Sequence, residues 1–193
     1  MKFVHSFCVI LLLIGAVSCN YRRVTLYGTP ATDYHHTQKK LTRYQKIYGL
    51  EKVIFDTRVV YFDHDLRLKY VDEYADLFRL SVAEKDALLQ QELADDAAYD
   101  DFYIAHFSSE RGYQNLQENV EDKKIWTLRL VDDTSELRPL SITPLKRTNH
   151  QEYFFPIMDH FSKLYKVRFR KSTSTTKTLS MYSPARSTTF EWK

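Results

Sequence analysis

The spacing of apolar residues changes character several times along the chain. Residues 3–14 form one apolar run, interrupted only by His5 and Ser6. Residues 20–33, with Gly28, Pro30 and small polar side chains, carry no period and read as a tether. Over residues 34–48, Leu41, Tyr44 and Ile47 or Tyr48 recur at helical spacing and Gly49 is a natural stop, which predicts a short helix with a basic outer side of Lys39, Lys40, Arg43 and Lys46. Residues 52–62 then alternate. Val53, Phe55, Val59 and Tyr61 share one face, and Asp56 and Arg58 share the other, as in a strand.

Two helical patterns follow. Leu66, Tyr70, Tyr74, Leu77 and Phe78 form the apolar stripe of the first, with Asp63 or Asp65 as its cap. The second opens on Ser81-Val82-Ala83-Glu84, a capping box in which Ser81 and Glu84 satisfy each other's free N–H groups. Val82, Leu89 and Leu93 are expected to face inward, and Asp86, Glu92, Asp95 and Asp96 outward. The short link at Leu80–Ser81 predicts a helical hairpin over about residues 63–97.

From Asp101 the period becomes two. Phe102, Ile104 and His106 alternate with Tyr103, Ala105 and Phe107; Trp126, Leu128 and Leu130 repeat the pattern. Leu140 and Ile142, then Leu179 and Met181, then Phe190 and Trp192 mark further strands. Tyr165, Val167 and Phe169 alternate with Lys166, Arg168 and Arg170. Six or seven short strands with turn signals between them predict an α+β protein, an antiparallel Ig-like β-sandwich with the helical hairpin inserted between its early strands. The cationic side of the 164–171 strand is expected to meet water, so that Arg168→Ser should cost no more than about 0.5 kcal/mol.

Composition refines this picture. The chain has 193 residues, is 44% hydrophobic and carries a formal net charge of +3. That is enough for one domain with a real core. The charge is segregated: residues 20–62 hold eight Lys/Arg against three Asp/Glu, residues 63–110 hold four against thirteen, and residues 138–193 hold eleven against three. The basic tail reads as solvated strand faces, with no nucleic acid expected as partner.

The N-terminal pattern supplies an address. Lys2 precedes the apolar run, and Gly15, Ala16 and Ser18 lead to Cys19. A transmembrane helix needs about 20 apolar residues, so the run is short for a span and reads as a cleaved signal. The chain has two cysteines, Cys8 and Cys19. Removal of residues 1–18 takes Cys8 away and leaves Cys19 alone at the new N-terminus, a place that favours modification of its thiol. The segment resembles the signals of bacterial lipoproteins, although Ala16 stands where those signals usually have Leu, and Ala16-Val17-Ser18 would also suit an ordinary signal peptidase. The resemblance implies lipidation of Cys19, firm anchoring through more than one acyl chain, and export to the bacterial cell envelope, at the outer membrane in a Gram-negative cell. The organisation expected is a signal at 1–18, a lipidated N-terminus and tether at 19–33, and one domain at 34–193. The run of Trp126, Leu128 and Leu130, then Phe155, Pro156 and Asp159, then Tyr165, Val167 and Phe169 loosely resembles uncharacterised bacterial lipoproteins with an Ig-like β domain.

Candidate chemistry is sparse. Asp63-His64-Asp65 has oxygen and imidazole donors, but these are also ordinary helix-start residues and no second His stands at a ligand spacing. Asp95-Asp96 with Asp100-Asp101 lacks the glycine and glutamate of a calcium loop. His150, Asp159, His160 and Ser162 lie close in sequence without a nucleophile-elbow motif. No catalytic residue, cofactor or metal site is therefore expected. Tyr153, Phe154, Phe155, Ile157 and Met158 form an apolar stretch that either closes one end of the core or presents anchors to an envelope protein partner. The expected role is structural or binding, on a membrane-anchored lipoprotein. The alternative is an envelope enzyme, a hydrolase or metal-dependent, that uses Asp and His residues.

Overall fold

The computed structural model describes residues 32–48, 50, 53–110, 112–117, 125–131, 136–184 and 186–193. Cys19, the leader and most of the tether lie outside the described residues. Residues 32–193 form one compact unit.

The chain enters this unit through α1 (Asp33–Leu41). The helix ends seven residues earlier than its pattern predicts, because Thr42–Tyr48 is a strand, β1. Thr, Tyr and Ile favour an extended backbone, and β1 finds a partner in β2 (Val53–Tyr61), with Thr42 opposite Val60 and Lys46 opposite Asp56. Next come α2 (His64–Phe78) and α3 (Val82–Ala98), packed on each other and joined by residues 79–81. The strands β3 (Tyr99–Ser108), β4 (Thr127–Val131), β5 (Glu136–Leu137) and β6 (Ser141–Leu145) follow. A short helix, α4 (Asn149–Phe154), precedes β7 (Lys163–Arg170), β8 (Lys177–Tyr182) and β9 (Ser187–Trp192).

The strands form two antiparallel sheets, ordered β1-β2-β3-β7-β6 and β5-β4-β8-β9. With four helices among the described residues, the fold is α+β and sandwich-like. Alternation in each strand sends one set of side chains between the sheets. Phe55, Val59, Phe102, Ile104, Val167 and Phe169 from the five-stranded sheet meet Leu128, Leu130, Leu179, Met181, Phe190 and Trp192 from the four-stranded one in a single apolar cluster. At one side, Trp192 Nε1 donates to the Leu41 carbonyl at 2.6 Å and Arg43 Nε to the Glu191 carbonyl at 2.7 Å, which ties β9 to the start of β1.

The other face of the five-stranded sheet is covered as well. Val60, Tyr103, Ala105 and Leu164 pack with Tyr34 of α1, Leu66 of α2 and Phe154 of α4, and with Phe155 and Ile157 just after α4. The arrangement is helices, sheet, sheet. This corrects the expectation that Lys166 and Arg168 face water: α2 and α3 bring carboxylates and Arg67 over them. The expectation for α3 also fails. Val82 is 79% exposed, Leu89 and Leu93 are only half-buried, and no residue of α3 is fully buried.

Candidate functional site

The densest polar cluster lies under α3, on the helix side of β3 and β7. It begins with two acids near the start of β3, the central strand of the five-stranded sheet. Asp100 and Asp101 are consecutive, so the pleat sends them to opposite faces of the sheet. Both carboxylates are buried.

Asp101 faces the helices. Arg168 stands directly opposite it on β7. The Arg168 guanidinium grips it with two hydrogen bonds, Nε to Oδ1 and Nη2 to Oδ2, each 2.8 Å. Arg67 of α2 donates from Nη2 to Asp101 Oδ2 at 2.8 Å and from Nη1 to Glu92 of α3 at 2.7 Å. Its side chain is only 1% exposed, and its guanidinium lies 5.0 Å from the Phe62 ring centre. Lys166 Nζ stands 3.3 Å from Asp101, and Arg168 Nη2 also reaches Asp95 of α3 at 2.5 Å. Burial by itself raises the pKa of the Asp101 carboxyl; the contacts with Arg168, Lys166 and Arg67 outweigh it and bring it down to about 2. Arg67 Nε has no hydrogen-bond partner among the described residues; Asp96 Oδ1 is 3.9 Å away.

Asp100 faces the space between the sheets. It accepts from the Tyr61 hydroxyl and from the Ser172 backbone N–H, each at 2.8 Å. Lys177 Nζ stands 3.2 Å away and donates to the Ser172 carbonyl at 3.0 Å and to its hydroxyl. Further along the same face, His106 bridges Thr57 Oγ1 at 2.8 Å and the Tyr113 carbonyl at 2.7 Å. A carbonyl can only accept, so Nε2 carries the proton and Nδ1 accepts from the Thr57 hydroxyl. The Tyr113 carbonyl takes a second hydrogen bond from Trp126 Nε1 at 2.8 Å. Burial holds the His106 pKa down at about 4, so the ring is neutral near pH 7.

The third polar group closes α4. A helix C-terminus leaves carbonyls without partners, and α1 supplies them here. The Phe154 carbonyl accepts from the Tyr34 hydroxyl at 2.7 Å and from Gln38 Nε2 at 2.5 Å, and the Tyr153 carbonyl from His35 Nε2 at 3.0 Å. The Tyr153 hydroxyl bonds Glu73. Phe154, Phe155 and Ile157 are buried, while Tyr153 and Met158 are half-buried and pack against the same cluster. The Phe155 ring stacks on Tyr103 with centres 3.9 Å apart. The apolar stretch therefore turns three of its five anchors inward.

The structure scatters the other sequence candidates. Asp63 caps α2 by accepting from the Leu66 N–H at 2.9 Å. His64 is 61% exposed and bonds Asp96 at 2.7 Å, whereas Asp65 pairs with Lys69. Among the described residues, no group of three or more His, Cys, Asp or Glu stands where it would hold a metal ion. Asp95 and Asp96 are paired with Arg168 and Lys171. His150 packs among Tyr74, Phe78 and Phe154. Asp159 turns its carboxylate onto the N–H groups of Phe161 and Ser162, closing a local turn. Sequence reasoning missed Arg67, weighed Asp101 only as a calcium donor and took Arg168 for a solvated strand charge. One signal pointed to them: two adjacent acids inside a strand pattern, where acids are depleted.

No family model matches the chain, and no curated protein matches it. Among solved structures, the crystal structure of a DUF4426 family protein from Pseudomonas aeruginosa PAO1 is similar over 77% of this chain and 92% of that one, at 10% identity and a TM-score of 0.31. A likeness that weak carries no argument about function.

Proposed function

We propose that this chain is an exported, lipid-anchored protein of the bacterial cell envelope whose domain has a structural or binding role. The observation that carries the reading is the leader itself, an apolar run after Lys2 followed by Gly15, Ala16, Ser18 and Cys19. The membrane is its first partner, held through acyl chains on Cys19, and an envelope protein is the second. Asp63 caps a helix, Asp159 closes a turn, and His64 and Asp95 are held in ion pairs, which are structural uses of these residues. In the finer fold reading, the two sheets form an Ig-like sandwich and α2 with α3 is a helical hairpin inserted between β2 and β3. The test is Cys19→Ser, with fractionation of cells and mass measurement of the mature N-terminus. The wild-type protein should sit in the membrane fraction with acyl mass on Cys19, and the variant should leave it. A variant that stays membrane-bound with its leader intact shows an anchor helix instead. A wild-type protein that is soluble and cut after Ser18 shows ordinary secretion.

A further inference from the structure

We infer that α3 is docked by charge and opens as a unit while both sheets and the other helices stay folded. A helix normally holds its place through a buried apolar stripe. The neighbouring α2 does so, burying Leu66, Val71 and Ala75 and packing Tyr70 and Tyr74 against the helix-side cluster. Even the nine-residue α1 buries Tyr34, Thr37 and Gln38. α3 has 17 residues and buries none of them fully. Neither apolar cluster contains any of its side chains. Apart from packing along α2 that leaves Leu88, Leu89 and Leu93 half-buried, its ties to the rest of the fold among the described residues are ionic: Glu92 to Arg67 at 2.7 Å, Asp95 to Arg168 at 2.5 Å, Asp96 to Lys171 at 2.8 Å and to His64 at 2.7 Å, and Lys85 to Asp72 at 2.7 Å.

Opening is inexpensive because of what stays behind. Removing one partner of a buried ion pair is costly when the other charge is left alone. Here Arg67 and Arg168 both keep Asp101 when α3 leaves, and Lys171 remains 3.5 Å from Asp100. The boundaries of the moving unit are in place too. Ser81 and Glu84 form a cap internal to α3. The α2 terminus closes on itself through Arg79, in the left-handed region at φ 52°, and through the Leu80 N–H to the Ala75 carbonyl at 2.9 Å. At the far end the Lys171 N–H holds the Ala98 carbonyl at 3.0 Å, so the chain stays fixed where β3 begins.

Most helical stability in proteins comes from tertiary packing, so release appears as faster hydrogen exchange of the α3 amides. The experiment is exchange with mass spectrometry on the full chain. The double variant Asp95→Asn/Asp96→Asn is compared with wild type, and wild type is also measured as ionic strength rises from about 0.05 M to about 1 M, where the Debye length falls to about 3 Å. Peptides from α3 should exchange about tenfold faster or more in both cases, with β3 and β7 peptides unchanged. Either of two results overturns the inference: α3 exchange that responds to neither change, or α3 and β3–β7 losing protection together in salt. The salt arm decides if the variant fails to fold.

Discussion

The two faces of the five-stranded sheet are built on different principles. Between the sheets, Phe102, Val167, Phe169 and Trp192 meet in a largely apolar layer, in which Asp100 and His106 are the hydrogen-bonded polar members. On the helix side, aromatic packing under α1, α2 and α4 gives way beneath α3 to ion pairs centred on Asp101. The same strand, β7, contributes to both. Its odd positions fill the apolar layer and Lys166 and Arg168 complete the ionic one. Two neighbouring side chains thus stabilise the fold by unrelated means. Apolar burial scales with area, whereas the ionic layer depends on every partner being present.

The largest effects should come from the centre of each layer. Phe169→Ala should cost about 3–5 kcal/mol through lost burial and a cavity, with no dependence on pH between 7 and 3. Asp101→Asn should cost about 3–5 kcal/mol, because Arg67, Arg168 and Lys166 lose their shared anion. Denaturant unfolding of both variants checks this, and a cost below 1 kcal/mol for Asp101→Asn would show that the helix-side cations are solvated after all.

The layers should also separate by pH. His106, on the sandwich side, has its pKa lowered from an ordinary 6.5 to about 4. The neutral ring is favoured on folding, so its contribution is complete above pH 6.5 and is lost as pH falls to about 4, roughly 3 kcal/mol in all. Asp101 is lowered from an ordinary 3.8 to about 2. Its contribution is complete above pH 3.8 and is lost as pH falls toward 2. Stability measured against pH should therefore drop in two windows. Asp101→Asn should shrink the lower drop, which the lowered carboxyls of Asp96 and Asp159 share, and His106→Gln should shrink the upper, which His150, also lowered by burial, shares.

The smallest effect in this set belongs to Arg168→Ser. Asp101 keeps Arg67 and Lys166, so the loss should be about 1–3 kcal/mol, several times the 0.5 kcal/mol expected of a solvated strand charge. A chevron or denaturant midpoint that does not move would restore the solvated reading for that face.

The difference between the layers also explains what was legible. The apolar layer could be read directly, because period-two alternation in residues 102–106, 126–130 and 165–169 names its own members. The caps were legible for the same local reason: Ser81-x-x-Glu84 and Asp63 satisfy N–H groups within one turn. The ionic layer was not. Lys166, Arg168, Glu92 and Asp95 have the pattern of solvent-facing residues, and nothing local reveals that a distant helix will cover them. β1 was misread for a related reason. Tyr44 and Ile47 fit a helical period, and only pairing with β2 decides for a strand. The stretch at Tyr153–Met158 was correctly seen as apolar, but its direction depends on α1 and Tyr103, more than a hundred and about fifty residues away in the chain.

The adjacent carboxylates of Asp100 and Asp101 have a consequence for assembly as well as for stability. β3 is the middle strand of its sheet and pairs on both sides, so an error in its register would be passed to two neighbours. A slip of one position in one direction would carry Asp101 into the apolar site of Phe102, between Trp192 and Phe169. A slip the other way would set Phe102 against Arg67, Arg168 and Lys166 and leave three cations without their anion. One error buries a carboxylate among apolar rings and the other strips the cation cluster of its central anion, so the acid pair works as a key that favours one alignment of the strand over its nearest neighbours.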